Sequence, residues 1–227
     1  IIEVHNRPSY ISLLKKRLSN KVLALYFHND PLSMDGSKTI DDRKNLLKNC
    51  YKIIFNSNWS KKRFLEGLEN KFVNSDKLVV FFQSAKRNNI SILKNKKKWI
   101  TFVGKLNTAK GYDVFAKTIK KILNKYPDWK AKVIGDEKRE KIILKHKNAN
   151  ILGFLRHDKV LGIFKQTSIA VACSRWEEPF GRTSLEASAN GCAVIITDKG
   201  GLPETVTNAK ILKKLSTKNL EKTIIQL

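Results

Sequence analysis

The stretch WITFVGKLNTAKGYDVFAKTIKKILNKYPDWKAKVIG (99–135) decides the fold class. Its first six residues, WITFVG (99–104), form a short apolar run rich in β-branched and aromatic side chains that stops at a glycine, the pattern of a strand. The period then changes. Phe115, Ile119, Ile122 and Tyr126 recur at spacings of four, three and four, which lays them along one face of a helix. KAKVIG (130–135) returns to a strand that again ends in glycine. Strand, helix and strand in this order are a βαβ unit, and such units build a parallel sheet covered by its own helices.

The same alternation continues outward. ANIL (149–152), SIAVAC (168–173), CAVIIT (192–197) and AKIL (209–212) read as further strands, with helices expected between all of them. On the other side, IIEV (1–4), KVLALYF (21–27), YKIIF (51–55) and KLVVFF (77–82) alternate with helical segments at 10–18, 41–49 and 60–68. The expected class is α/β. Between the two halves lies QSAKRNNISILKNKKK (83–98), polar and basic and patterned only at ISIL, which reads as a domain connection. The boundary is expected near residue 95, giving domains 1–95 and 96–227, with KNKKK as solvated linker. In IIFNSNWSKKRF (53–64), Asn58 reads as a helix cap and Trp59 as a core anchor, with no chemistry assigned.

The chain has 227 residues and 41% hydrophobic content, enough for one large or two modest cores. Its 45 Lys and Arg against 20 Asp and Glu give a formal net charge of +25, so anionic partners must be considered. The base is mostly lysine, 36 Lys to 9 Arg, whereas readers of nucleic acid favour the bidentate fork of Arg. No RNP, helix-turn-helix or zinc signature accompanies the charge, so nucleic acid is not an expected partner. Cys50, Cys173 and Cys192 are odd in number and form no CxxC pair, which argues against a disulfide framework and a zinc site and for a reducing compartment. No apolar run reaches the roughly 18–20 residues that span a bilayer, and the start does not resemble a signal peptide, so a cytoplasmic protein is expected. Residue 1 is Ile, the only methionine is Met34, and IIEVHN already reads as a buried strand; the natural N-terminus is therefore expected upstream.

Two segments carry the chemistry. In FVGKLNTAKGYDVF (102–115) a strand ends at Gly104, a helix begins near Gly111, and Lys105 and Lys110 bracket the turn. Free backbone N–H groups and the positive end of a helix dipole suit a diphosphate there, and two lysines add full charges; a tight βα turn in a lysine-rich chain is the alternative. In SRWEEPFGRTSLEASANG (174–191) a loop carries Glu178, and Glu186 lies about one turn inside a helix that starts near Arg182. An ionised carboxylate can grip a vicinal pair of sugar hydroxyls, while the N–H groups from Phe180 to Thr183 can hold a phosphate. The alternatives are a solvent-facing helix carboxylate and an ordinary loop acid.

FVGKLNTAKG, EEPFGRTSLEA and GCAVIITDKGGLPETV occur in that order, with two glutamates spaced as Glu-x7-Glu. Together they resemble the C-terminal half of a GT-B glycosyltransferase of the family 4 type. The resemblance implies two Rossmann-like domains with parallel sheets facing a cleft, the N-terminal one incomplete. It also implies a nucleotide-sugar donor bound mainly by the C-terminal domain. Lys105 stands where the family usually has Arg and Lys110 where it has Lys, both on the donor diphosphate; Lys105 keeps the charge but loses the planar fork. By the same resemblance Glu178 lies beside the donor sugar, the backbone of Phe180 and Gly181 near that sugar, and Glu186 on the ribose; Gly104, Arg182 and Thr183 complete the expected donor-binding set. Gly200 and Gly201 are expected in a tight turn, with Pro203 and Glu204 opening the next helix and Glu204 read as a capping residue. EVHNRP (3–8) and YFHND (26–30) resemble two strand ends that carry histidines facing the cleft, of which His28 is the better candidate for approach to the sugar. The glycine-rich loop expected near the family's N-terminus and its last linking helix have no counterpart in the chain.

The reaction that the resemblance implies is retaining transfer of a sugar from a nucleotide diphosphate to an acceptor hydroxyl, with Glu178 and His28 as the catalytic candidates. The expected setting is polysaccharide or lipopolysaccharide assembly. No metal and no cofactor are expected; the nucleotide sugar is a substrate, and the acceptor is a saccharide or lipid-linked. A GT-B-fold phosphorylase or nucleotide-sugar epimerase is the alternative within the fold, and a basic nucleic-acid-binding module the alternative outside it. The basic helices 10–18 and 60–68 suggest peripheral contact with an anionic membrane on its inner face, a solvated basic surface being the other reading.

Overall fold

The computed structural model describes residues 1–86 and 96–227, so ISIL and the expected boundary near residue 95 lie outside the described residues. The chain forms two compact units, one of residues 1–83 with 178–180, the other of residues 84–177 with 181–227.

The first unit is a four-stranded parallel sheet. Its strands are β1 (Ile2–His5), β2 (Leu23–Phe27), β3 (Lys52–Phe55) and β4 (Leu78–Val80), in spatial order β1-β2-β3-β4. The helices α1 (Tyr10–Arg17), α2 (Ile40–Asn49) and α3 (Asn58–Leu65) connect them in turn. Phe27, Phe55 and Phe64 meet at ring separations of 5.3–5.8 Å and, with Ile11, Leu25, Leu46 and Ile53, form the core. A capping box starts α2: Thr39 accepts from the Asp42 N–H while the Asp42 carboxylate accepts from the Thr39 N–H. The buried Arg43 guanidinium donates to the carbonyls of Phe64 and Glu66 at 2.6 and 2.7 Å, so a cation satisfies the orphan carbonyls where α3 ends. The cap of α3 is Ser57, whose hydroxyl accepts from the Ser60 N–H, and not Asn58, which is the first helical residue. Trp59 is only half-buried and lies against the Arg63 guanidinium, so it is no core anchor.

The second unit is a six-stranded parallel sheet. Its strands are β5 (Lys97–Val103), β6 (Lys130–Ile134), β7 (Ala149–Ile151), β8 (Thr167–Ala172), β9 (Ala193–Thr197) and β10 (Lys210–Leu212), ordered β10-β9-β8-β5-β6-β7. Chain order therefore runs outward in one direction from β5 and in the other from β8, the doubly wound arrangement. Helices α4 (Tyr112–Lys125), α5 (His157–Gln166), α6 (Arg182–Ala189) and α7 (Thr217–Ile225) cover the sheet. The face of α4 read from its spacing is the buried one: Phe115, Ile119 and Ile122 enter the core and Tyr126 packs against it.

Three expectations fail here. No helix joins β6 to β7 among the described residues, because Ile142, Ile143 and Leu144 are adjacent rather than spaced by three or four and cannot share one helical face. Leu144 is buried in the core while Ile143 is exposed. The β9–β10 connection holds only a single 3-10 turn, Leu202–Glu204, so Pro203 and Glu204 do not open an α-helix. Of the expected linker, Lys97 and Lys98 belong to β5 and Lys96 donates to the carbonyls of Phe164 and Asn190 at 2.9 and 2.6 Å, fastening the ends of α5 and α6.

Candidate active site

In an open parallel sheet, ligands bind outside the carboxyl ends of the strands where the strand order reverses. In the second unit that point lies between β5 and β8, and the two loops leaving it are the two segments singled out by sequence: 104–111 after β5 and 173–181 after β8. Direct bonds join these loops. The N–H groups of Arg175 and Trp176 donate to the Ala109 carbonyl at 2.8 and 3.1 Å, and the Ser174 hydroxyl donates to it at 3.1 Å. The Arg175 guanidinium reaches the Thr108 carbonyl at 2.6 Å and grips both oxygens of Asp113, in the first turn of α4, at 2.6 and 2.8 Å. That bidentate grip holds the Asp113 carboxyl below its ordinary range, against the opposing effect of partial burial.

Glycine permits this closeness. Gly111 caps α4 in the left-handed region at φ 73°, and a Cβ there would run into the Cys173 carbonyl oxygen. Gly135, at φ 131°, lets the end of β6 approach β5 so closely that a Cβ would strike the Gly104 carbonyl. Asn107, 7% exposed, stiffens the loop between them: its side chain accepts from the Lys110 N–H at 3.0 Å and donates to Glu137 at 3.1 Å. Glu137 is held down to about 2, chiefly by the Arg139 guanidinium beside it. The backbone of the first loop is thus clamped from both sides, while Lys105 is exposed and makes no ion pair among the described residues.

Gly181, at φ 109°, caps α6, and Glu186 lies one turn in, 8% exposed. One of its oxygens, Oε1, accepts from Arg182 Nε at 2.7 Å and from His157 Nε2, at the start of α5, at 2.9 Å. The carboxylate expected on a ribose is therefore oriented by two donors on Oε1, and Arg182 is engaged with Glu186. Glu177, beside Glu178 in sequence, accepts from the Gly200 N–H at 2.5 Å and from Lys199 at 3.1 Å; Gly200 has φ 60°, as a tight turn requires.

The expected site residues divide between the units. Gly104, Lys105, Lys110, Gly181, Arg182, Thr183 and Glu186 belong to the second, and His28, Glu178 and Phe180 to the first. His28 follows β2 and is half-buried: its Nε2 lies 2.9 Å from His5 Nδ1 and its Nδ1 lies 3.3 Å from the Gln83 amide nitrogen. Burial first, and the neighbouring His5 second, push the His28 imidazole below the ordinary histidine range, which favours its neutral form. Sequence reasoning missed Asp113, Arg175, His157 and Gln83. Arg175 and Asp113 stand 62 positions apart, and only the switch-point geometry pairs them. No group of three metal-ligating side chains occurs among the described residues.

Comparison with known proteins carries this switch point further. The family model described as "Glycosyl transferases group 1" matches residues 83–227, more than half of the chain. The chain belongs to this family. It is 26% identical over 237 residues to the putative glycosyltransferase YtcC of Bacillus subtilis, covering 91% of the chain but 57% of that protein's length. To the lipopolysaccharide core biosynthesis mannosyltransferase LpsB of Rhizobium meliloti it is 32% identical over 121 residues, 49% of the chain and 34% of LpsB. The Anabaena HepE structure in complex with UDP superposes with a TM-score of 0.79 at 16% identity, covering 99% of the chain and 68% of HepE. That likeness shows the GT-B type of α/β fold with parallel sheets. The chain spans 57% of the length of YtcC.

Proposed function

We propose that the chain carries the donor-binding machinery of a retaining, family 4 type glycosyltransferase that moves a hexose from a nucleotide-diphosphate sugar to an acceptor hydroxyl. The setting is assembly of a surface polysaccharide or lipopolysaccharide, as the name of LpsB suggests for its relatives. The observation that carries the reading is the pair of bonded loops at the β5/β8 switch point, each leading from a strand to a helix capped by a left-handed glycine. Two helix N-termini and two lysines there suit a diphosphate.

In this reading Lys105 and Lys110 hold the diphosphate, Glu186 accepts from the ribose hydroxyls, and Glu178, the Phe180–Gly181 backbone and His28 orient the sugar. Gly104, Arg182 and Thr183 shape the surface on which the phosphates lie. The bond from the anomeric carbon to the diphosphate oxygen breaks, and a bond to the acceptor oxygen forms on the same face. The acceptor proton goes to the leaving diphosphate, whose developing charge the lysines and helix ends stabilise. No protein nucleophile takes part, and the chemistry needs no cofactor.

Peripheral attachment to an anionic membrane belongs to the same proposal and rests on α1. That helix exposes Tyr10 and Leu13 beside Lys16 and Arg17. Two of the three cations of α3 are engaged, Arg63 with Asp30 and Glu66 and Lys61 with the Leu78 carbonyl, while Lys62 is exposed.

The test is the melting temperature of the chain with UDP, GDP, ADP, UDP-glucose and GDP-mannose, UDP being first because HepE was solved with it. A ligand at about 100 times its Kd adds about 2.7 kcal/mol, roughly 5–10 °C for a chain of this size. Lys110→Ala should remove most of the shift and Lys110→Arg should keep it. A flat response to all five, or a Lys110→Ala variant that responds as the wild type does, would refute the donor site.

A further inference from the structure

The histidine pair at the carboxyl ends of β1 and β2 has a defined hydrogen-bond direction. An amide nitrogen only donates, so the Gln83 side chain at 3.3 Å requires an unprotonated His28 Nδ1 and places the ring hydrogen on Nε2. That hydrogen is donated to His5 Nδ1 at 2.9 Å, which in turn puts the His5 hydrogen on Nε2, facing the Glu3 carboxylate at 3.4 Å. The two imidazoles are within 10° of coplanar with centroids 5.2 Å apart, the geometry of an end-to-end hydrogen bond. Tyr26 stacks on His28 at 4.5 Å and 8°, and its hydroxyl is tied to the Phe81 carbonyl at 2.8 Å. The backbone is fixed as well: Asn6, in the left-handed region at φ 54°, accepts from the His28 N–H, and Asn56 donates to the His28 carbonyl.

We propose that His5, backed by Glu3, is a positioning residue that locks His28 as its Nε2–H tautomer, so that Nδ1 offers a lone pair to a sugar hydroxyl, with Gln83 occupying that lone pair until a sugar arrives. The inference rests on the reading that His28 meets the donor sugar. A neutral imidazole has two tautomers, and one that exchanged between them would meet a hydroxyl with the wrong nitrogen state part of the time. The groups whose titration bears on the ring are His5 and Glu3 on β1 and the stacked Tyr26 on β2. Burial and His5 both favour the neutral form that the lock needs.

Long-range 1H–15N spectra of the histidine-labelled chain read the tautomer directly. His28 should show a single Nε2–H form in the wild type, which His5→Phe should convert to a mixture while raising the His28 titration midpoint. His5→Asn, whose side-chain oxygen can stand where Nδ1 was, should restore it. UDP and UDP-glucose binding supply the second readout: His5→Phe and His28→Ala should weaken UDP-glucose roughly three- to tenfold and leave UDP unchanged. A His28 ring protonated on Nδ1, or one indifferent to His5→Phe, overturns the proposal alone. A His28→Ala variant that binds UDP-glucose as the wild type does overturns the sugar-contact reading and the proposal with it.

Discussion

At the scale of single residues, the candidate site depends on where a side chain is absent as much as on where one is charged. Gly111 holds a left-handed conformation against the carbonyl of Cys173. An alanine there would meet both the intrinsic cost of that region and a collision with backbone, which cannot swing aside as a flexible side chain can. Gly111→Ala should therefore lose about 3 kcal/mol or more of unfolding free energy by urea titration. Gly162 offers the control, because a Cβ there meets nothing within 4 Å and its backbone is helical, so Gly162→Ala should be neutral or stabilising. Equal losses at the two positions would contradict the packing argument. The sequence pointed to Gly111 as the start of a helix, but the collision depends on Cys173, brought there by a different strand.

At the scale of elements, the loop joining β8 to α6 is held to the start of α4 by Arg175 and Asp113, and this attachment should respond to acid. The folded-state Asp113 carboxyl titrates below its unfolded value, so its contribution is fully present above the unfolded value, near pH 4, and is lost as pH falls through the folded one. Arg175 is 43% exposed, and solvent screening limits the pair; about 1 kcal/mol is a reasonable size for it. Asp113→Asn should cost that much at pH 7 and at pH 5, and progressively less as pH falls below the unfolded value; a cost that does not shrink under acid would mean that the carboxylate charge is not what holds the loop. Such pairings mark the limit of what was legible in the chain. Strands and amphipathic helices were readable because their periods are local, as the α4 face shows. The cap of α3 was misplaced because Ser57 and Asn58 are both good caps and only backbone angles separate them. The β6–β7 connection departs from strand–helix alternation because Ile142–Leu144 break helical spacing. Lys96 looks like linker in the sequence because its two carbonyl partners come from residues 68 and 94 positions away.

At the scale of the whole molecule the dominant number is the net charge of +25. It falls mostly on lysines, and many of these are matched locally or engaged by carbonyls, as Lys96, Lys98 and Lys199 are. An attraction set only by total charge would respond to salt but not to the position of any one residue, since screening within about 8–10 Å acts on every exposed cation alike. Attachment through α1 adds something that total charge lacks, the exposed Tyr10 and Leu13 beside Lys16 and Arg17. Among the described residues no helix is long and apolar enough to cross a membrane, so contact through this helix would be lateral. Each basic residue at an anionic surface contributes about 1 kcal/mol, so reversing Lys16 and Arg17 to Glu should lower partition onto phosphatidylglycerol vesicles by roughly thirtyfold or more. Reversing Lys213 and Lys214, in the second unit, changes the net charge by the same amount and should have a much smaller effect. Co-sedimentation at low salt measures both. Equal losses from the two double variants would assign the attraction to net charge and remove α1 from the proposal, whereas an intact chain that stays in the supernatant would remove the membrane altogether.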